Sequence, residues 1–82
     1  MNRVKLLFFA TLRDRAGTRS MELEIPPDLT IQGLKDKISE DYPNLKESMS
    51  SVLITINREY AFDETVIPQN AELAMFPPVS GG

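Results

Sequence analysis

The chain has 82 residues, 41% hydrophobic and 26% charged, the balance of one small globular domain rather than of a disordered segment. It contains no cysteine, histidine or tryptophan, which excludes a disulfide framework, a thiolate nucleophile, an imidazole base and any zinc site built on sulfur or imidazole. Nine basic residues against twelve acidic ones give a formal charge of -3, the wrong sign for a general binder of nucleic acid.

The longest apolar run, Leu6 to Leu12, is too short to span a membrane. Arg13, Asp14 and Arg15 follow it where a secretory cleavage site needs small residues, so a cytoplasmic protein is expected. Val4 to Ala10 instead reads as a buried strand. Val4, Leu6 and Phe8 face the core, and Arg3, Lys5, Leu7 and Phe9 lie on a partly covered side. Thr11 to Gly17 is a short helical turn with Leu12 and Ala16 on one side and Gly17 as its stop.

Arg19 to Ile25 alternates, with Met21, Leu23 and Ile25 inward and Ser20, Glu22 and Glu24 outward, and is expected antiparallel to the first strand. After Pro26 and Pro27, Thr30 caps a helix whose apolar stripe is Ile31, Leu34 and Ile38, extended by Tyr42 and stopped by Pro43. Gly33 in its first turns weakens the helix, and a close approach of helix to sheet is the expected compensation. Ser51 to Asn57 is a third strand with Val52, Ile54 and Ile56 on one face. Tyr60 to Phe62 is a short return across Asn57-Arg58-Glu59, and Ala71 to Phe76 is a central last strand.

A helix covering one face of such a sheet gives a two-layer α+β domain. A right-handed crossover places the last strand parallel to the first in mid-sheet, the β-grasp arrangement seen in ubiquitin. The expected organisation is a β-grasp domain over residues 1–76 and a flexible extended tail over 77–82.

Internal chemistry is scarce. Asp36, Glu40 and Asp41 on the helix and Asp63 with Glu64 read as solvated charge, without the spacing of a metal loop, so no metal site is expected. Tyr42 and Tyr60 read as half-buried structural tyrosines, and the small domain has little volume for a catalytic cleft. The ending is more informative. Pro77 and Pro78 hold the backbone extended and stop the last strand, while Val79, Ser80, Gly81 and Gly82 lead to a tip without side chains. At about 3.3 Å per residue the segment reaches up to ~20 Å, which suits presentation of a free α-carboxylate to another protein's active site.

The ending F-P-P-V-S-G-G, preceded by A-E-L-A-M, resembles the small subunit of molybdopterin synthase, a MoaD-type sulfur carrier of the ubiquitin-like β-grasp family. The opening V-K-L-L-F-F-A-T-L-R, the Gly17-Thr18 pair and V-L-I-T-I-N resemble the same family, so the likeness covers essentially the whole chain. Two turns depart from it: Gln69-Asn70 stands where Gly-Asp is usual, and Arg58 where a smaller residue is common.

The resemblance implies that an ATP-dependent activating enzyme (MoeB type) adenylates Gly82, and that a sulfur donor converts the adenylate to a thiocarboxylate. That sulfur is then delivered, inside a heterotetramer with the large synthase subunit (MoaE type), to cyclic pyranopterin monophosphate. The chain itself would bind no cofactor and would be a non-catalytic sulfur-donating subunit, the catalytic side chains belonging to the large subunit. Phe9, Tyr60 and Phe76 are the expected partner-binding aromatics, and the family implies a contact with the activating enzyme at Arg13. Alternatives are a sulfur carrier for thiamin or tRNA thiolation, a ubiquitin-like protein modifier, and a plain interaction domain.

Overall fold

The computed structural model describes residues 1–78. Five strands form one sheet: β1 (Asn2–Phe8), β2 (Ser20–Ile25), β3 (Leu53–Ile56), β4 (Glu59–Tyr60) and β5 (Glu72–Phe76). Their order across the sheet is β2-β1-β5-β3-β4, with β1 and β5 parallel at the centre and every other pair antiparallel. Helices α1 (Thr11–Ala16) and α2 (Ile31–Asp41) complete the regular elements, with two 3-10 turns at Pro43–Leu45 and Ser48–Ser50. The chain is an α+β protein with the expected β-grasp topology.

The alternation read from the sequence sets the layers. Val4, Leu6 and Phe8 of β1, Ile25 of β2, Ile54 of β3, and Leu73 and Met75 of β5 are buried in one core with Ile31, Leu34 and Ile38 of α2. Burying a side chain of this size stabilises the fold by roughly 1.5–3 kcal/mol. On β5, Ala74 is buried on the opposite face as well. That double coverage is why the strand reads as nearly continuous apolar sequence.

The ends of the elements follow local chemistry. The Thr30 side chain accepts a hydrogen bond from the Gly33 amide at 3.2 Å, and the amides of Ile31 and Gln32 donate to the Thr65 and Asp63 carbonyls. The first turn of α2 is thereby satisfied from two directions. Gly17 adopts φ 76° and its amide closes α1 on the Arg13 carbonyl at 3.0 Å, the left-handed stop that glycine permits.

Several expectations need correction. β1 ends at Phe8 rather than Ala10, because Ala10 takes φ 53° and turns the chain, although the Phe9 amide still donates to Met75 at 3.2 Å. β2 begins one residue later than expected, β5 begins at Glu72, and β3 is trimmed to four residues. The return strand is Glu59–Tyr60, not Tyr60–Phe62, since Asn57 and Arg58 alone form the turn, both at positive φ, and Ile56 pairs with Glu59. Gly33 is close to the Leu29 side chain, not to the sheet: a Cβ there would lie 2.5 Å from Leu29 Cδ1. Tyr42 follows α2 as a half-buried cap, its hydroxyl 3.7 Å from Met21 Sδ.

Beyond the expected stop at Pro43, the segment 43–50 supplies buried Leu45 and Met49, and buried Ile67 comes from the connection before β5. Among the described residues no helix is long and apolar enough to cross a membrane.

Candidate functional site

The helix covers one face of the sheet, and cross-strand register organises the other. Lys5 pairs with Glu22 and Glu72, and Arg3 lies 3.7 Å from both Glu22 and Glu24, so one end of the open face carries alternating charge. Towards the other end, Leu7, Ala74, Thr55 and Tyr60 form one row, each opposite the next across β1, β5, β3 and β4. In the following row Phe76 is paired with Leu53 and stacks on Phe9, their ring centroids 4.6 Å apart and their planes 11° from parallel.

Exposure of these side chains is high for apolar groups: 41% for Phe9, 39% for Leu53 and 75% for Tyr60. Contiguous exposed apolar surface of this kind marks a contact site. Between the rows runs a groove of about 380 Å³, floored by Ala74 and lined by Leu7, Phe9, Thr55, Arg58, Glu72 and Phe76. The structure thus brings together the three aromatics expected at a partner surface, Phe9, Tyr60 and Phe76, on the face where the tail begins.

Arg13 is not among them. It is exposed on α1, and the groove beside the tail root is lined by Arg15 instead, with Thr11, Leu12, Glu47, Ser48, Pro77 and Pro78. Arg15 also reaches Ser48 Oγ at 3.5 Å. Pro77 is half-buried and Pro78 exposed; Val79, Ser80, Gly81 and Gly82 lie outside the described residues. Sequence reasoning missed Leu53, Thr55, Ala74 and Arg58 as parts of the face. The parity of β3 carried the signal: with Val52 and Ile54 inward, Leu53 and Thr55 must point outward.

The body offers little else for chemistry. No polar or charged side chain among the described residues is buried, and none of them form a group of three or more His, Cys, Asp or Glu able to hold a metal. The most enclosed charge is Lys35, whose Nζ lies 2.7 Å from Asp63 Oδ1 and ties α2 to the 62–66 loop. What the described residues offer is the apolar open face of the sheet and, beside it, the start of the tail at Pro77 and Pro78.

The family model for the ThiS family matches residues 6–82. The chain belongs to the ThiS family. It is 35% identical over 79 residues to the molybdopterin synthase sulfur carrier subunit of Arabidopsis thaliana, covering 96% of this chain and 82% of that one. Among solved structures, the small archaeal modifier protein 1 of Methanosarcina acetivorans superposes with a TM-score of 0.83 at 28% identity, over 100% of this chain and 98% of that one. A complex of subunits 1 and 2 of the molybdopterin-converting factor from Helicobacter pylori also contains this fold, with a TM-score of 0.68 at 20% identity over 98% and 99%.

Proposed function

We propose that the chain is the sulfur-carrying small subunit of a cytoplasmic molybdopterin synthase, with Gly82 as its reacting residue. The observation that carries this reading is the family match, which runs through the terminal Gly81-Gly82 pair. The relatives' shared name supports the substrate assignment.

The chemistry begins from an unreactive group. A carboxylate spreads its charge over two oxygens and resists attack at carbon. Its oxygen attacks the α-phosphorus of ATP on the activating enzyme, pyrophosphate leaves, and the acyl-adenylate now has a good leaving group. Sulfur delivered at the sulfide level, as hydrosulfide, adds to the acyl carbon, AMP departs and a proton is lost, which leaves a thiocarboxylate. The large subunit directs that sulfur at cyclic pyranopterin monophosphate on the way to the dithiolene of molybdopterin. This chain contributes the terminus and a docking face, and the catalytic side chains and the ATP site belong to its partners. Arg13 is assigned to the activating enzyme, and Phe9, Tyr60 and Phe76 to the docking face.

Glycine at the last positions suits a narrow channel, because no Cβ blocks passage and any φ is accessible. The Helicobacter pylori subunit was solved in complex with its subunit 2, which supports a large-subunit partner of that type here. The test is reconstitution: thiocarboxylated chain with the large subunit should convert cyclic pyranopterin monophosphate to molybdopterin, and the unsulfurated chain should not. Equal product from both would refute the reading.

A second reading, a protein modifier joined through Gly82 to lysines, draws on the likeness to the small archaeal modifier protein. Isopeptide-linked conjugates in a lysate would favour it.

A further inference from the structure

Four residues with side chains, Ala10, Asn57, Arg58 and Asn70, lie at positive φ, and of these Arg58 lines the apolar groove. Ala10 has φ 53° and ψ -129°, in a turn closed by the Leu12 amide on the Phe9 carbonyl at 3.1 Å. Arg58 has φ 74° as the second central residue of the β3–β4 turn. Asparagine tolerates the left-handed region, so Asn57 at φ 51° needs no special account, but arginine has no such excuse. Strain of this kind persists only where the surrounding structure over-determines it, and it collects at functional surfaces.

Arg58 lines the groove beside Phe9, Phe76 and Glu72, yet no carboxylate of the described residues lies within ion-pair distance of it. The turn therefore holds a guanidinium with no carboxylate partner among the described residues, at the rim of a pocket whose walls include Leu7, Phe9 and Phe76. Glu72 lines the same groove, which disfavours a polyanion such as nucleic acid and leaves room for a single negative group.

We infer that Arg58 is a specificity contact: it pairs with one carboxylate of the partner protein, next to a partner apolar side chain seated in the groove. The inference rests on the reading of this face as the docking surface for the large subunit. The planar fork of arginine suits a carboxylate.

The experiment measures two quantities on the full chain: urea unfolding midpoint, and affinity for the large subunit by titration calorimetry. Arg58→Gly relieves the backbone strain, so its midpoint should rise while its dissociation constant rises about tenfold, the effect of losing one charge-assisted contact. Arg58→Glu should bind more weakly still. The affinity of the wild-type chain should fall with added salt more steeply than that of Arg58→Gly, a readout that a merely structural role would leave unmoved. Arg58→Gly binding as tightly as wild type overturns the inference, as does a variant that loses stability and affinity together. A wild-type dimer in sedimentation that Arg58→Glu dissolves also overturns it, since the occupant would then be a second copy. Failure of the wild-type chain to bind the large subunit sinks the proposed function and this contact with it, whereas binding unaffected by position 58 sinks the contact alone.

Discussion

Phe8 and Phe9 are neighbours in sequence on opposite sides of the sheet, and their substitution separates the core from the exposed face proposed for docking. Phe8 is 2% exposed inside the core, so Phe8→Ala removes a fully buried ring and leaves a cavity, at a cost of about 3–5 kcal/mol. An 82-residue domain has total stability of about 4–12 kcal/mol, so this variant is near the limit of folding. Phe8→Leu, at about 1–2 kcal/mol, gives a measurable second point. Phe9 is 41% exposed and leaves no enclosed cavity; its truncation forfeits partial burial and the stack on Phe76, about 1–2 kcal/mol together. A double-mutant cycle of Phe9→Ala and Phe76→Ala isolates the stack, with an expected coupling of about 0.5–1.5 kcal/mol. The assay is urea unfolding with slopes compared between variants. Phe9→Ala as damaging as Phe8→Ala, or a coupling of zero, would refute the assignment of the two faces.

Other perturbations probe separate parts of the molecule. Leu45→Ala should cost about 2–5 kcal/mol by calorimetry, because the 3-10 turn places Leu45 in the core despite its polar neighbours. Thr30→Ala should cost about 1 kcal/mol in urea unfolding and Thr30→Ser much less, since the side-chain oxygen that accepts from Gly33 is what matters. One alanine added after Gly82 should abolish molybdopterin formation in reconstitution while leaving the unfolding midpoint unchanged. Phe76→Ala should weaken binding to the large subunit more than it weakens the fold.

Where a pattern repeats, the sequence was legible. Alternation in β1 identified its three core residues and that in β2 identified Ile25, with Met21 and Leu23 only half-buried against the core, while the Thr30 cap with the Ile31, Leu34 and Ile38 stripe located α2. The weight of apolar residues in β5 placed it centrally, as observed. Segment 43–50 was opaque because each 3-10 turn is three residues long, and two isolated apolar residues show no period. The β3–β4 turn was misplaced because Asn57-Arg58 lacks the glycine that announces such a turn; strand pairing imposes it against local preference.

The same distinction holds at the open face of the sheet. Phe9, Tyr60 and Phe76 could be named as unassigned aromatics, and their register across the sheet brings them onto one surface. The stack of Phe9 on Phe76 depends on the parallel β1–β5 pairing, which unites residues from the two ends of the chain. Arg58 was noted only as a departure in a turn; its meaning required its backbone angles and the groove it lines.

Intact-mass analysis of the native protein tests the central claim most directly, since the account requires Gly82 to end the working chain and to carry sulfur. The account predicts two species, one at the mass of the 82-residue chain and one heavier by the exchange of a single terminal oxygen for sulfur, the second disappearing on incubation with the large subunit and cyclic pyranopterin monophosphate. A mature chain extended beyond Gly82, or a terminus that never acquires sulfur in the presence of the activating enzyme, ATP and a sulfur donor, would contradict it.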